Sequence, residues 1–78
     1  MRWFEARRME WIEETLRVFG FINREHLTRK FGVSTPQASM DIATFRASRP
    51  NYMAYNKSAK RYEITPAGRQ ALESDHEG

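Results

Sequence analysis

The side chains of this 78-residue sequence that are best equipped for chemistry at close quarters are recognition groups, and they cluster. Thr35, Pro36, Gln37, Ser39 and Met40 combine one amide, two hydroxyls and two apolar tips within a short stretch. A glutamine amide can pair bidentately with adenine N6 and N7, a serine hydroxyl can bond to several bases, and threonine or methionine can touch a thymine methyl. No arginine accompanies them, so strong guanine readout is not expected and an A·T-leaning target or indirect readout is. Around this cluster stand Arg24, Arg46, Arg49, Lys57, Lys60 and Arg61, with the hydroxyls of Ser34, Thr44 and Ser58 among them. These are side chains of the kind that bind phosphate oxygens. Asp41 is the odd member, and a carboxylate beside phosphates is repelled. It is therefore expected to pair internally with one of these arginines.

Catalytic chemistry has no comparable cluster. His26 and His76 are isolated, no H-x-x-x-H or paired-carboxylate spacing occurs, and no glycine-rich phosphate loop appears. Glu13-Glu14 fits a solvated helix face, and His26, at the third position of its helix, fits a surface or capping residue. The expectation is a protein that is not an enzyme and has neither cofactor nor metal.

The elements that must position the cluster are legible from caps and breakers. Asn23 is a good N-cap, and Ile22 and Leu27 sit at the two positions of a hydrophobic staple, so a helix should start at Arg24. It should end at Phe31, where Gly32 supplies a left-handed residue. Ser34 precedes Gln37 at capping-box spacing, with Pro36 in the first turn, so a second helix should start there. Two helices joined by a short glycine-containing turn make a helix-turn-helix. In the second helix Ala38, Ile42 and Phe45 share one stripe, while Pro36, Ser39, Met40, Ala43 and Thr44 face the other way. A helix face that is small and nearly uncharged suits entry into a confined space such as the DNA major groove.

Upstream, Trp3 to Phe19 reads as an amphipathic helix ended by Gly20, with Met9, Ile12, Leu16 and Phe19 as its buried stripe. Phe4, Trp11, Thr15 and Val18 lie on a neighbouring side. Trp3, Phe4 and Trp11 are surplus aromatics, to be covered either by the C-terminal helix or by a dimer contact. Downstream, Pro50 ends the presented helix. Residues 51–56 and 61–65 alternate as short strands, with Lys57-Ser58-Ala59-Lys60 as a basic hairpin tip, a wing suited to a phosphate backbone or minor groove. Thr65 and Pro66 start a short last helix with a weak apolar side of Ala67, Ala71 and Leu72. The fold class expected is mainly α with a small β-hairpin, a winged helix-turn-helix over residues 1–73 with an acidic flexible tail at 74–78.

Composition bounds the rest. The length suits one domain, with no room for a second, ligand-sensing one, and hence no small-molecule site. Cysteine is absent, which suits a reducing cytoplasm. The longest apolar run is far shorter than the roughly 20 residues that span a bilayer, and no signal peptide is evident. The net charge of +3 is unevenly spread: residues 1–20 balance to zero, residues 21–65 carry +5, and the remainder carries −2. Cations concentrated on the turn unit and the hairpin are the electrostatic footprint of a nucleic-acid binder.

The runs GFINREHLTRKFGVSTPQASMDIATF and RPNYMAYNKSAKRYEITP carry a family resemblance. With I-N-R before the first helix of the pair, F-G-V-S at the turn, Q-A-S-x-D-I opening the second and a P-N-Y-x-x-Y…K-x-Y hairpin, the chain resembles the N-terminal winged helix-turn-helix of bacterial WYL-domain transcription regulators. It is most similar to the BrxR/CapW type that controls phage-defence operons. The likeness covers about Ile12 to Pro66, and the ending I-T-P-A-G-R also resembles the close of the wing in other bacterial winged-helix repressors. The resemblance implies a homodimeric, nucleoid-associated repressor that sets this helix in the major groove of an operator with inverted repeats. In that family a ligand-sensing WYL domain and a C-terminal extension follow. This sequence stops before them, so it is expected to be an excised domain or a stand-alone DNA-binding unit, and an effector response does not carry over. A reading of another class remains open beside it, a protein-interaction module that docks partners through its aromatic first helix.

Overall fold

The computed structural model describes residues 2–77, with side chains described for residues 4–74. Helix α1 (Arg2–Phe19) is followed by strand β1 (Phe21–Ile22), helix α2 (Arg24–Phe31), helix α3 (Thr35–Ser48), strands β2 (Met53–Asn56) and β3 (Arg61–Ile64), and helix α4 (Pro66–Glu77). This is the winged helix-turn-helix expected, with one strand more than the sequence suggested.

The additional strand is β1. The three strands form one antiparallel sheet in the order β1-β3-β2, with Phe21 opposite Glu63, Ile22 opposite Tyr62, and Met53 opposite Ile64. Two residues are too few to show alternation, and their partner lies about forty positions away, so only the folded chain reveals the pairing. The consequence is mechanical. The wing is tied at its base to the segment leading into α2, and Ile64 N–H adds a bond to Gly20 O at 2.8 Å.

The core gathers Ile12 and Leu16 of α1, Ile22 of β1, Leu27 of α2, Ala38, Ile42 and Phe45 of α3, Met53 of β2 and Leu72 of α4. Full burial of each large side chain here contributes about 1.5–3 kcal/mol. The expected stripe of α1 holds at Ile12 and Leu16 but not at Phe19, which is 63% exposed. Phe19 continues the stripe by angle, yet it is the last helical residue, beyond the elements that cover the middle of α1. The same geometry explains Phe4 and Val18, which are exposed although they lie on the side of buried Thr15.

Helix α4 starts as expected: Thr65 Oγ1 accepts from Gly68 N–H at 2.9 Å, with Pro66 as the first helical residue. It buries Leu72, half-buries Ala71 and leaves Ala67 exposed. Gly68 allows this close docking, since a Cβ there would stand 2.3 Å from Tyr52 O. The helix reaches Glu77. The side chains expected to form an acidic tail lie, from Asp75 on, outside the described residues, as does the side chain of Trp3.

Candidate nucleic-acid interface

The geometry of the candidate interface starts at Gly32. It takes φ 69° and ψ 20°, donates its N–H to Thr28 O at 2.9 Å and closes α2. The chain then reaches Ser34, whose extended backbone and hydroxyl cap α3 by accepting from Gln37 N–H at 3.2 Å. Burial of Ala38, Asp41, Ile42 and Phe45 fixes the rotation of α3 about its axis. Thr35, Pro36, Ser39, Met40, Ala43 and Thr44 consequently face outward together, with Met40 at 64% exposure. Gln37 is half-buried at the edge of this face.

Two expectations about α3 are corrected. The capping box at its start is only half formed. Gln37 does not reach back to Ser34, because its Nε2 donates to Asp41 Oδ1 at 2.9 Å, one turn ahead. Asp41 does pair internally, but with none of the cations expected: its partner is Arg8 of α1, whose Nε lies 2.6 Å from Oδ2. The carboxylate is 3% exposed, and a buried charge requires such a partner. By contrast α2 has the complete box. Asn23 Oδ1 accepts from His26 N–H at 3.2 Å, and His26 Nδ1 accepts from Asn23 N–H at 3.1 Å. An accepting Nδ1 requires neutral imidazole. Burial lowers the His26 pKa, opposed by the Glu25 charge and aided by that of Arg29.

Beside the outward face runs a groove of about 460 Å³, lined by Asn23, Arg24 and Glu25 from the start of α2, Ser39 and Ile42 from α3, and Tyr55, Lys60 and Tyr62 from the hairpin. Arg24 and Lys60 thus reach the same depression as Ser39. Lys57 and Ser58 are exposed at the hairpin tip. Lys60 holds φ 57°, a left-handed conformation disfavoured for a side chain of this size, with its N–H on Asn56 O at 2.7 Å. Asn56 shapes the tip further by accepting from Ala59 N–H at 3.0 Å. Arg46 is exposed, its guanidinium 5.6 Å from the centre of the Tyr62 ring.

Not every expected cation stands on this surface. Arg49 lies over Phe45 and Tyr52 at 5.6 and 5.7 Å and pairs with Glu13 at 3.6 Å, so it fastens α3 to α1. Arg61 lies over the Phe21 ring at 4.2 Å and bonds to Glu63 at 2.9 Å. Hydrogen bonds from Arg61 and then Asn56 hold the Glu63 carboxyl below its ordinary range. Of the aromatics set aside for a dimer contact, Phe4 is 53% exposed. Trp11 is half-buried, with its indole N–H donating to His26 O at 3.3 Å and Lys30 lying 4.7 Å over its ring, so it helps join α1 to α2.

Three contributors escaped the sequence. Tyr55 and Tyr62 sit on the groove wall with ring centres 4.8 Å apart; their alternation signalled strands and nothing more. Arg8 carried no signal, being one of four arginines in a charge-balanced helix. Among the described residues no group of three or more His, Cys, Asp or Glu side chains could hold a metal, and no helix is long and apolar enough to cross a membrane.

Comparison with known proteins gives a consistent result. Residues 5–76 match the family model of the BrxR transcriptional regulator winged helix-turn-helix domain. The DNA-binding transcriptional repressor CapW of Escherichia coli is 42% identical over 64 residues, 82% of this chain and 21% of the relative. CapW of Pseudomonas aeruginosa gives the same figures, and CapW of Stenotrophomonas maltophilia is 33% identical over 66 residues, 85% of this chain and 22% of the relative. The chain therefore spans about a fifth of the length of the curated relatives it matches.

Proposed function

The chain belongs to the BrxR family of winged helix-turn-helix domains, and we propose that it binds double-stranded DNA sequence-specifically, as the reading unit of a transcriptional repressor. In this reading α3 enters the major groove. Ser39, Met40, Thr35, Pro36 and Gln37 meet base edges, and Arg24, Arg46, Lys57 and Lys60 meet phosphates, with Ser34, Thr44 and Ser58 as neutral phosphate partners. One recognition helix covers only a half-site, so the bound form is a homodimer on an inverted repeat.

A single observation carries the proposal: the one face of α3 that is exposed and free of charge borders a groove that also holds Arg24 and Lys60. An ordinary solvated helix face would carry lysine and glutamate. A face meant for a groove between two phosphate rows has neutral groups at its centre and cations at its rim. Arg49 and Arg61 are committed inside the domain and do not belong to the rim in this reading.

Selection of bound duplexes from a randomised pool, repeated at two salt concentrations with the oligomeric state measured, tests it. A defined, inverted-repeat sequence is expected, with affinity falling steeply as salt rises. Gln37→Ala should relax preference at one base pair by about 1–3 kcal/mol, while Lys60→Ala should weaken all duplexes and reduce the salt slope by about one. Selection of no sequence, or a salt slope near zero, overturns the proposal.

A further inference from the structure

Arg8, Asp41 and Gln37 form one line of contacts from α1 to the edge of the outward face of α3. Arg8 Nε donates to one oxygen of the buried Asp41 carboxylate at 2.6 Å, and Gln37 Nε2 donates to the other at 2.9 Å. The side chain of Arg8 is only 16% exposed and that of Asp41 4%, so water competes weakly for either end. The residues at the two ends of this line are 29 positions apart, yet they meet on a single carboxylate.

This arrangement decides what Gln37 can still offer. A glutamine amide has two N–H donors and one acceptor oxygen, and a carboxylate can only accept. Asp41 therefore turns the amide nitrogen inward, since the flipped amide would set Oε1 against a negative charge. One N–H and Oε1 remain. Adenine presents an acceptor and a donor in the major groove, N7 and N6–H, which match that remaining pair; guanine presents two acceptors, N7 and O6, which would need both N–H groups. A glutamine without the carboxylate behind it could flip, or donate twice.

We propose that Arg8 and Asp41 are positioning residues that commit one Gln37 N–H inward and so set the preference for adenine over guanine at the base pair Gln37 meets. The inference rests on the DNA-reading role of α3 given above. Arg8 touches no base. It holds the carboxylate that holds the amide.

The experiment measures the affinity ratio between two duplexes that differ only by A·T or G·C at the base pair sensitive to Gln37→Ala in the selected site. A ratio is unaffected by the fraction of protein that is folded, because both affinities scale alike, so loss of stability does not mimic the effect. Asp41→Asn gives Gln37 a partner that both donates and accepts, and Arg8→Gln removes the charge that fixes the carboxylate. Each is expected to lower the ratio about tenfold, within the range one bidentate base contact supplies, while affinity for unrelated duplex DNA per folded protein stays as in the wild type. In the Gln37→Ala background, Asp41→Asn is expected to change the ratio no further.

If Gln37→Ala collapses the ratio but Asp41→Asn and Arg8→Gln keep it, the positioning role is overturned and the reading role of Gln37 stands. If Asp41→Asn still changes the ratio in the Gln37→Ala background, the pair acts by shifting α3 as a whole, and the proposal fails. A selected site in which no base pair responds to Gln37→Ala overturns the reading role and the positioning role together, whereas one in which the responding pair prefers a base other than adenine leaves Gln37 as a reader and overturns the positioning role.

Discussion

The two helices of the helix-turn-helix begin with the same spacing and end up with different wiring. At α2 a capping residue and the side chain three positions on satisfy each other's backbone donors, Asn23 with His26. At α3 Ser34 caps Gln37, but Gln37 turns forward to Asp41 instead of back. The first helix start is a closed local structure whose purpose is to begin a helix. The second gives up one of two reciprocal bonds, and its amide, held forward by Asp41, is the group proposed above to read a base. Stability at a helix start and recognition at a helix start draw on the same kinds of residue, and under the proposed function one copy of the motif serves each.

Asp41 is where that difference is enforced, so removing it should have the largest effect. Asp41→Ala leaves the guanidinium of Arg8 unpaired in a largely dry position, and it frees Gln37 to swing back toward Ser34. Breaking a buried pair in this way costs about 3–5 kcal/mol, against a total near 4–12 kcal/mol for a domain of this size. The neighbouring substitution Met40→Ala removes an exposed side chain and should change stability by less than about 0.5 kcal/mol. Urea unfolding of the two variants measures the contrast. Equal losses would mean that the carboxylate is no more anchored than the thioether beside it in the sequence.

The two caps themselves come next. Asn23→Ala removes the Oδ1 acceptor of a part-buried box at the junction of β1 and α2 and should cost about 1–2 kcal/mol, whereas Ser34→Ala removes its hydroxyl acceptor at an exposed helix start and should cost about 0.5–1 kcal/mol. Thermal unfolding should therefore rank Asn23→Ala well below Ser34→Ala in midpoint. The reverse order would show that α3 depends on its hydroxyl cap more than its half-formed box implies.

Much of this was legible in the sequence, and the parts that were not share a cause. Asn23, Gly32, Ser34, Pro50 and Thr65 act through groups within four residues, so their caps and breaks could be read locally, and the order of helices and hairpin followed. The outward set Ser39, Met40 and Thr44 followed from the angle between it and Ala38, Ile42 and Phe45. What local reading lacks is distance. The partner of Asp41 is 33 positions away, the strand that pairs with β1 lies across α2 and α3, and Arg49 reaches back to Glu13. The Ser34 to Gln37 spacing misled for the same reason: the motif was present, but a buried carboxylate fixed from another helix competes for the amide. Arg61 looked like a wing cation by proximity to Lys60, and only the folded sheet sets Phe21 beside it.

The smallest expected effect sharpens the comparison by pH. The box at α2 contains a titratable acceptor, and the start of α3 does not. Burial places the pKa of His26 in the folded chain below its ordinary value. Between the lowered value and the ordinary histidine value near 6.5, the unfolded chain binds more protons than the folded one, so stability rises with pH there. The contribution is complete above about pH 6.5 and is lost as pH falls through the folded-state value, where a proton on Nδ1 displaces the Asn23 N–H. His26→Gln keeps an acceptor at the third helical position, as in the common capping box, and removes the titration. Melting temperatures at pH 7.5 and pH 5.0 should therefore differ more for the wild type than for His26→Gln, the carboxylates contributing equally to both. If the two proteins lose the same number of degrees on acidification, the imidazole is not the acceptor that closes α2, and the contrast between the two helix starts would reduce to the difference between an asparagine and a serine.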